Sequence, residues 1–211
     1  MRTLTKHIRI FNRIAGIYNL FYSYQQNMYR KALRNGSAAV PWDRVSRVLD
    51  VGCGTGAFTG LWAELGRKVV GVDASDAMIR RARNNTRNLS GITFLVADAL
   101  AGLPFEDNSF DLTYCSYVAH GLSREHRLQL YREMCRVSRI MVIIHDYNAK
   151  RSLLTDAVEA LEGGDYFNFI NEVTSELHQH ICDLQVLPIG KRSSWYICIK
   201  EGEKPFCRLE S

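Results

Sequence analysis

The sequence predicts an α/β fold, in which a doubly wound, mostly parallel sheet has helices on both faces. First, five short apolar runs alternate along the chain with segments of helical periodicity. Second, the first run is followed at once by glycines at positions 52, 54 and 56 and then by a helical pattern. Third, two final apolar runs flank a turn at Gly190, which is typical of an antiparallel hairpin. In a sheet of this kind, ligands bind at the carboxyl ends of the strands.

The first predicted element is a helix over residues 8–33. Asn35-Gly36-Ser37 ends this helix, and Pro41 prevents its return. Its apolar residues recur every three or four positions, at Ile10, Ile14, Ile17, Phe21 and Tyr24.

Strands and helices then alternate, because runs of mainly apolar residues are separated by patterns of period 3.6. The predicted strands cover residues 46–51, 68–73, 92–97, 110–115 and 139–146. The predicted helices cover residues 57–65, 75–87, 123–136, 150–161 and 166–180, the last two separated by Gly163-Gly164. The predicted hairpin strands cover residues 181–188 and 194–200.

Length and composition indicate one compact domain. The chain has 211 residues, of which 46% are hydrophobic and 23% charged, as in ordinary soluble proteins. No apolar run is long enough to cross a bilayer, and the N-terminus lacks the features of a signal peptide. Six scattered cysteines favour a reduced, cytoplasmic protein, and a net charge of +5 is too modest to indicate nucleic acid. We expect a monomer or homodimer with no membrane partner.

The most informative segment runs from Val48 to Gly56. An apolar strand reaches Asp50, and the three glycines follow at alternate positions, which strips side chains from a turn that a ligand must approach. Nicotinamide enzymes use a related loop, and Gly52, Gly54 and Ala57 satisfy their pattern. Gly56 and the acid at position 50 favour a ligand with an ammonium group over a pyrophosphate. Asp73, 17 residues beyond Gly56, ends the second strand and suits a pair of ribose hydroxyls in either class.

The sequence pattern Asp-x-Gly-x-Gly-x-Gly over residues 50–56 resembles the first motif of class I S-adenosylmethionine (SAM) dependent methyltransferases. Leu103-Pro-Phe-Glu-Asp-Asn-Ser-Phe-Asp111 resembles a segment of the small-molecule members of this superfamily. Phe11 to Asn19 partly resembles the start of the ubiquinone and menaquinone C-methyltransferases. Those enzymes carry an Arg-Asn pair after the fourth strand, where this chain has Ala119-His120-Gly121, so a quinone acceptor is not favoured.

The resemblance implies SAM as cofactor, a small-molecule methyl acceptor, and a seven-stranded sheet whose last strand is inserted antiparallel. It divides the single domain into an N-terminal helical lid over 1–40, a SAM-binding core over 41–149, a substrate-side insert over 150–180 and a terminal hairpin over 181–200.

Cofactor contacts are implied by the resemblance at the strand ends and in the N-terminal helix. Asp98 would bind the adenine amino group and Ala99 its ring, although Asp98 also suits a turn at the strand end. Tyr18 would face the cationic end, or equally would pack within the helix. Asp50 also suits a turn-closing acid, and Met78 suits the core equally well. Asp73 also suits a helix cap, although we assign the cap to Ser75 or Asp76. The full implied set is Tyr18, Asp50, Gly52, Gly54, Gly56, Asp73, Ala74, Met78, Asp98, Ala99 and Cys115.

The candidate catalytic residues are His120, His145 and Tyr166. His120 and His145 are predicted just past the fourth and fifth strands, at the rim where substrates lie. His145, with Asp146 beside it, would orient or deprotonate a nucleophile, whereas His120 also suits a role in local structure. Tyr166 belongs to the segment 162–169, which suits either a mobile substrate loop or a buried aromatic cluster. No metal is expected, because Cys115-Ser116 stands where a metal-dependent methyltransferase needs another acid.

Two other functions fit the same loop. A nicotinamide-dependent oxidoreductase would use the glycines but have no use for Asp98. A non-catalytic SAM-binding protein would keep the cofactor site without an open acceptor site. The intact first motif and the acids after the second and third strands favour the enzyme.

Overall fold

The computed structural model of the protein describes residues 22–150, 165–180 and 184–200. The chain divides into two compact units, residues 1–104 and 105–211. Residues 151–161 of one predicted helix and residues 8–21 of the predicted N-terminal helix lie outside the described residues.

The first unit begins, in its described part, with a helix and continues as three strands that alternate with two further helices. Helix α1 (Tyr22–Gly36) leads through a short 3-10 helix (Ser37–Ala39) to β1 (Arg47–Val51), α2 (Ala57–Glu64), β2 (Lys68–Asp73), α3 (Asp76–Asn85) and β3 (Ile92–Val96). Both β1 and β3 pair with β2 in parallel, with Val51 opposite Val72 and Asp73 opposite Val96. The carboxyl ends of the three strands therefore meet at one edge.

Apolar packing fixes α2 between α1 and the sheet. The ring of Tyr29 on α1 lies 4.7 Å from that of Phe58 on α2, and Phe58 in turn contacts the fully buried Trp62. Burying an aromatic side chain contributes roughly 1.5–3 kcal/mol, so this row stabilises the helix pair. Helix α3 begins at Asp76, one residue after the start of the predicted range 75–87. Ser75 is its N-cap, since the Ser75 hydroxyl accepts a hydrogen bond from the Met78 amide.

The second unit contains four strands and two long helices in its described part. In chain order these are β4 (Phe110–Ser116), a short 3-10 helix (Ala119–Gly121), α4 (Arg124–Val137), β5 (Ser138–Tyr147), α5 (Tyr166–His180), β6 (Leu184–Pro188) and β7 (Ser193–Ile199). Strand β5 pairs with β4 in parallel and with β7 antiparallel, and β7 pairs antiparallel with β6.

The seven strands follow the order β3-β2-β1-β4-β5-β7-β6. The prediction of a mostly parallel, seven-stranded sheet with an inserted antiparallel last strand is therefore confirmed. Strand β5 is one residue longer at each end than the prediction of 139–146, because it runs from Ser138 to Tyr147. Among the described residues, no helix is long and apolar enough to span a membrane.

Candidate functional site

The loop after β1 has a backbone that only glycine adopts easily. Gly52, Gly54 and Gly56 have φ of 70°, 53° and 80°. The amides of Gly52 and Cys53 both donate to the carbonyl of Val72, which ties the loop to the end of β2. Gly56 is the N-cap of α2, so the loop leads directly into that helix.

Two of these glycines have different surroundings. A Cβ on Gly56 would lie 3.0 Å from the Cβ of Ala82 and 3.3 Å from the ring of Phe94, so close packing of α2 requires glycine there. A Cβ on Gly54 would meet nothing within 4 Å. Gly54 therefore borders open space.

Asp73 faces the same loop from the end of β2. Its Oδ2 accepts a hydrogen bond from the Gly54 amide at 2.9 Å, and its Oδ1 accepts one from the Ser75 amide at 2.8 Å. Burial raises the pKa of Asp73, although both amide bonds oppose this shift. A carboxylate offers about four acceptor positions, so two remain for other donors.

Asp50 lies inside β1 and is almost completely buried. Its Oδ2 accepts a hydrogen bond of 2.6 Å from the Thr59 hydroxyl on α2. Burial raises the pKa of Asp50 to about 7; the bond from Thr59 opposes the rise, and the nearby charge of Asp73 adds to it. This carboxyl thus joins β1 to α2 and changes charge near neutral pH.

The remaining predicted cofactor residues of the first unit lie at or near the same strand ends. Asp98 follows β3, and its Oδ1 accepts a hydrogen bond from the Leu100 amide, which orients its carboxylate. Ala74 and Ala99 follow these two acids and are half-buried. Met78 is buried in α3 and belongs to the core.

These groups fit the polar parts of SAM. Carboxylates at the ends of β2 and β3 suit hydroxyl and amino donors, and the loop beside them has no side chain at Gly54, where a Cβ would meet nothing within 4 Å. Tyr18, which was predicted to face the cationic end, lies outside the described residues.

In the second unit, Asp146 holds the 3-10 helix that follows β4. Its Oδ2 accepts hydrogen bonds from the amides of Ala119 at 3.0 Å and His120 at 3.3 Å, and its Oδ1 accepts one from Tyr147. His120 Nδ1 lies 2.8 Å from Asp146 Oδ1. Since the carboxylate is the acceptor, Nδ1 carries the proton, and Nε2 is the basic nitrogen of the neutral ring.

Asp146 binds His120 and not its sequence neighbour His145. Neighbouring residues in a strand point to opposite faces, and both His145 and Asp146 lie within β5. The Tyr114 hydroxyl lies 2.6 Å from His145 Nδ1. Burial lowers the pKa of His145 to about 3, despite the opposing charge of Asp146, so this imidazole is neutral and a poor base at pH 7.

Cys115 and Tyr166 are also more enclosed than predicted. Cys115 is fully buried within β4, which continues to Ser116, so its thiol is not exposed to a ligand. Tyr166 begins α5, and its buried ring lies 5.1 Å from that of Tyr147. Of the two alternatives for the segment around Tyr166, its described part forms the buried aromatic cluster.

Two residues with prominent roles had no pattern in the sequence to reveal them. Tyr117 follows β4 with a left-handed backbone, φ 53°. Arg127 on α4 is completely buried and binds Glu176 and Asp165 of the α5 region. Both roles depend on contacts between residues distant in sequence. Among the described residues, no group of three or more His, Cys, Asp or Glu side chains is placed to hold a metal ion.

Comparison with known proteins agrees with this geometry. Residues 48–140 match the family described as "Methyltransferase domain". The demethylmenaquinone methyltransferase of Tropheryma whipplei strain Twist is 37% identical over 106 residues, which cover 49% of this chain and 43% of that protein. The malonyl-[acyl-carrier protein] O-methyltransferase of Pectobacterium atrosepticum is 29% identical over 155 residues, which cover 72% of this chain and 58% of that protein. The match thus spans about half the length of these relatives.

The fold has close structural counterparts. The solved structure of the DhpI–SAH complex superposes with a TM-score of 0.67 and 15% identity, covering 93% of this chain and 96% of the other. At that identity the likeness concerns the fold. The match over 48–140 contains the glycine loop, Asp73, Asp98, His120 and the start of β5.

Proposed function

This chain belongs to the class I SAM-dependent methyltransferases, and from that premise we propose that it transfers the methyl group of SAM to a small-molecule acceptor. The observation that carries the proposal is the joint between the glycine loop and β2. There the Asp73 carboxylate is held by the Gly54 amide, and the space beside Gly54 is open.

The cofactor would be held by the carboxyl ends of the first three strands. In this proposal, Asp73 accepts the ribose hydroxyls, Asp98 binds the adenine amino group, and Ala74 and Ala99 lie against the nucleoside. The backbone of the glycine loop and Asp50 bind the methionine portion. SAM itself supplies the reactive methyl group, so the protein contributes binding, orientation and exclusion of water.

His120 is the residue that we propose to handle the acceptor's proton. Asp146 fixes its tautomer and orientation through the 2.8 Å contact, as expected of a general base. His145 does not suit the role of general base, because burial lowers its pKa to about 3 and keeps its ring neutral. Tyr166 then supports the acceptor side through its ring contact with Tyr147.

The remaining parts of the proposal concern the setting. We propose one methyltransferase domain, with residues 1–40 over the cofactor and 150–180 on the acceptor side, working in the cytoplasm as a monomer or homodimer. Four buried thiols, Cys53, Cys115, Cys135 and Cys198, suit a reducing compartment. The acceptor is a free small molecule rather than nucleic acid, which the modest net charge supports.

Calorimetric titration with SAM, S-adenosylhomocysteine and NAD tests the cofactor. We expect micromolar or tighter binding of the first two, about −8 kcal/mol, and no heat with NAD. Binding of NAD alone would favour the oxidoreductase, and a flat titration with all three would remove the assignment.

Incubation with methyl-labelled SAM and a small-metabolite extract then tests catalysis. Label in a small molecule is the expected result. SAM binding without transfer to any fraction would favour the non-catalytic alternative, and label in nucleic acid would contradict the acceptor class.

A further inference from the structure

Tyr117 has a backbone conformation that is unusual for a bulky residue. Its φ of 53° lies in the left-handed region, where the side chain crowds the backbone. Asn108, the other non-glycine residue of the described part with positive φ, is of a type that tolerates this region. A strained conformation persists only where its surroundings impose it, and such residues concentrate at functional sites.

The surroundings of Tyr117 are aromatic. Its ring lies 5.0 Å from His145, 5.0 Å from Tyr147 and 6.3 Å from His120. The Tyr117 amide donates to the His145 carbonyl at 2.9 Å, which fixes the residue one position past β4. The strained backbone and the ring contacts together direct one aromatic side chain towards the carboxyl edge of the sheet, where open α/β sheets bind ligands.

We call the rings of Tyr117, His120, Tyr147, Tyr166 and Phe169 the aromatic wall. Tyr166 and Phe169 are buried, whereas Tyr117 and Tyr147 are half-buried and present part of their surface to solvent. His120 lies between them, 4.9 Å from Tyr147. The wall therefore joins exposed aromatic surface to the residue proposed to accept a proton.

The two charged side chains beside the aromatic wall, Asp146 and Arg127, already have partners within the protein. Asp146 accepts three backbone amides and the His120 ring. Arg127 lies 5.8 Å over the Phe169 ring and gives its donors to the acids of the α5 region. Neither group suits the recognition of a charged acceptor, whereas aromatic faces suit a planar, uncharged one.

We infer that Tyr117 determines acceptor specificity by presenting its ring to a planar aromatic acceptor that carries a hydroxyl group beside His120. This inference rests on the proposed methyl transfer. It assigns the acceptor class and a specificity role to a residue that the sequence did not single out.

The test is binding of 2-naphthol, measured by ligand-observed NMR with and without S-adenosylhomocysteine, against decahydro-2-naphthol, which has the same skeleton without aromatic faces. We expect the wild type to prefer 2-naphthol. Tyr117→Gly, which accepts the left-handed backbone but lacks the ring, should bind 2-naphthol roughly fivefold to tenfold more weakly, and Tyr117→Phe should retain most of the affinity. Asn108→Gly, which has a similar φ in the turn before β4, should leave it unchanged.

Equal binding of the two naphthols by the wild type, or equal 2-naphthol binding by the wild type and Tyr117→Gly, would overturn the inference. If Tyr117→Gly does not fold, Tyr117→Asn decides, since asparagine also tolerates this backbone. Binding of S-adenosylhomocysteine to the wild type distinguishes failure of the proposed function from failure of this inference. If the wild type does not bind S-adenosylhomocysteine, the proposed function is contradicted. If it binds S-adenosylhomocysteine but does not prefer 2-naphthol, only the role of Tyr117 is contradicted.

Discussion

At the scale of single residues, the carboxylate of Asp73 is fixed before any ligand arrives. Its two amide bonds, from Gly54 and Ser75, set the position of both oxygens. A preorganised acceptor loses little freedom when it binds, so Asp73 should account for much of the nucleoside affinity.

We therefore expect Asp73→Ala to weaken SAM binding far more than Met78→Leu. Each lost hydrogen bond to a charged group costs roughly 1.5–3 kcal/mol. Met78→Leu nearly conserves the volume of a buried side chain and should cost under about 1.5 kcal/mol in stability. Calorimetric titration of both folded variants measures the difference, and equal affinities would remove the ribose role from Asp73.

Asp50 gives stability a pH dependence of known sign. Its pKa rises to about 7 in the folded protein, so the folded state retains a proton that the unfolded chain has lost. The contribution of Asp50 to stability is therefore complete below pH 4 and is lost as the pH rises through 7, at no more than about 1.4 kcal/mol per pH unit.

Asp50→Asn should remove this slope. Denaturant unfolding of the wild type and the variant from pH 5 to 8 should show the variant gaining relative stability as the pH rises. His145, whose pKa is lowered to about 3, gives the opposite slope below its unfolded value, but it is common to both proteins and cancels in their difference. Parallel stability profiles would show that Asp50 is ionised throughout this range.

Residues whose role depends on the end of a strand were the hardest to predict. The helix cap was predicted at Ser75 or Asp76, and Ser75 is the N-cap; β2 ends at Asp73, as predicted. The contact of Asp146 with His120 could not be predicted, because it joins β5 to the short 3-10 helix after β4, 26 positions away in sequence. His145 is beside Asp146 in the sequence, but neighbouring residues of a strand face opposite sides.

At the scale of elements, the loop between β1 and α2 combines a packing role at Gly56 with the proposed cofactor contact at Gly54. Gly56→Ala should destabilise the protein by roughly 1–3 kcal/mol, because the residue has positive φ and its new Cβ would meet Ala82 at 3.0 Å. Gly54→Ala has open space around it and should be less destabilising, yet weaken SAM binding. Thermal unfolding and titration of both variants test this, and the reverse order of stability would contradict it.

Helices α4 and α5 are joined by a buried ion pair. Arg127 donates to both oxygens of Glu176, at 2.9 Å and 2.6 Å. Burial alone would lower the pKa of the Arg127 guanidinium, but the bonds from Glu176 and Asp165 raise it above its usual value. A buried charge left without its partner is costly, so this pair should govern how firmly α5 is held.

We expect Glu176→Gln to lower the free energy of unfolding by about 1.5–3 kcal/mol, because the guanidinium loses its most buried carboxylate. Glu133→Gln is the matched control. Both oxygens of Glu133 also accept hydrogen bonds from one guanidinium group, that of Arg136, but this pair lies near the surface. Its cost should stay under about 1 kcal/mol. Equal losses of stability in urea would show that burial does not distinguish the two pairs.

The elements themselves could be predicted because each strand is a short apolar run and each helix has a clear start. The hairpin order also followed from its resemblance to a known fold. The conformation of Tyr117 could not be predicted, since tyrosine has no preference for positive φ and its neighbours in space come from β5 and the segment after β4.

At the scale of the whole molecule, the proposed tasks are divided between the two units. The groups proposed for the cofactor that the structure describes lie before residue 104, and those proposed for the acceptor lie after residue 105. His120→Gln should therefore reduce methyl transfer about 10²–10⁴-fold while leaving SAM affinity nearly unchanged.

Turnover at saturating SAM and SAM affinity must be measured separately for this variant. Asp73→Ala is the comparison with the opposite pattern, since it should lose affinity first. Wild-type turnover in His120→Gln would assign proton transfer to another group, and loss of SAM affinity would contradict the proposed division of tasks.

The order of strands in the second unit determines when its sheet can close during synthesis. Among the described strands, β6 pairs only with β7, which is made after it, and β7 also covers the second edge of β5. A nascent chain that ends before Ser193 therefore leaves the fully buried residues of β5, such as Met141 and Ile143, beside an open edge. Such an edge invites pairing with other chains, so we expect chaperone dependence to fall sharply once Ile199 has left the ribosome.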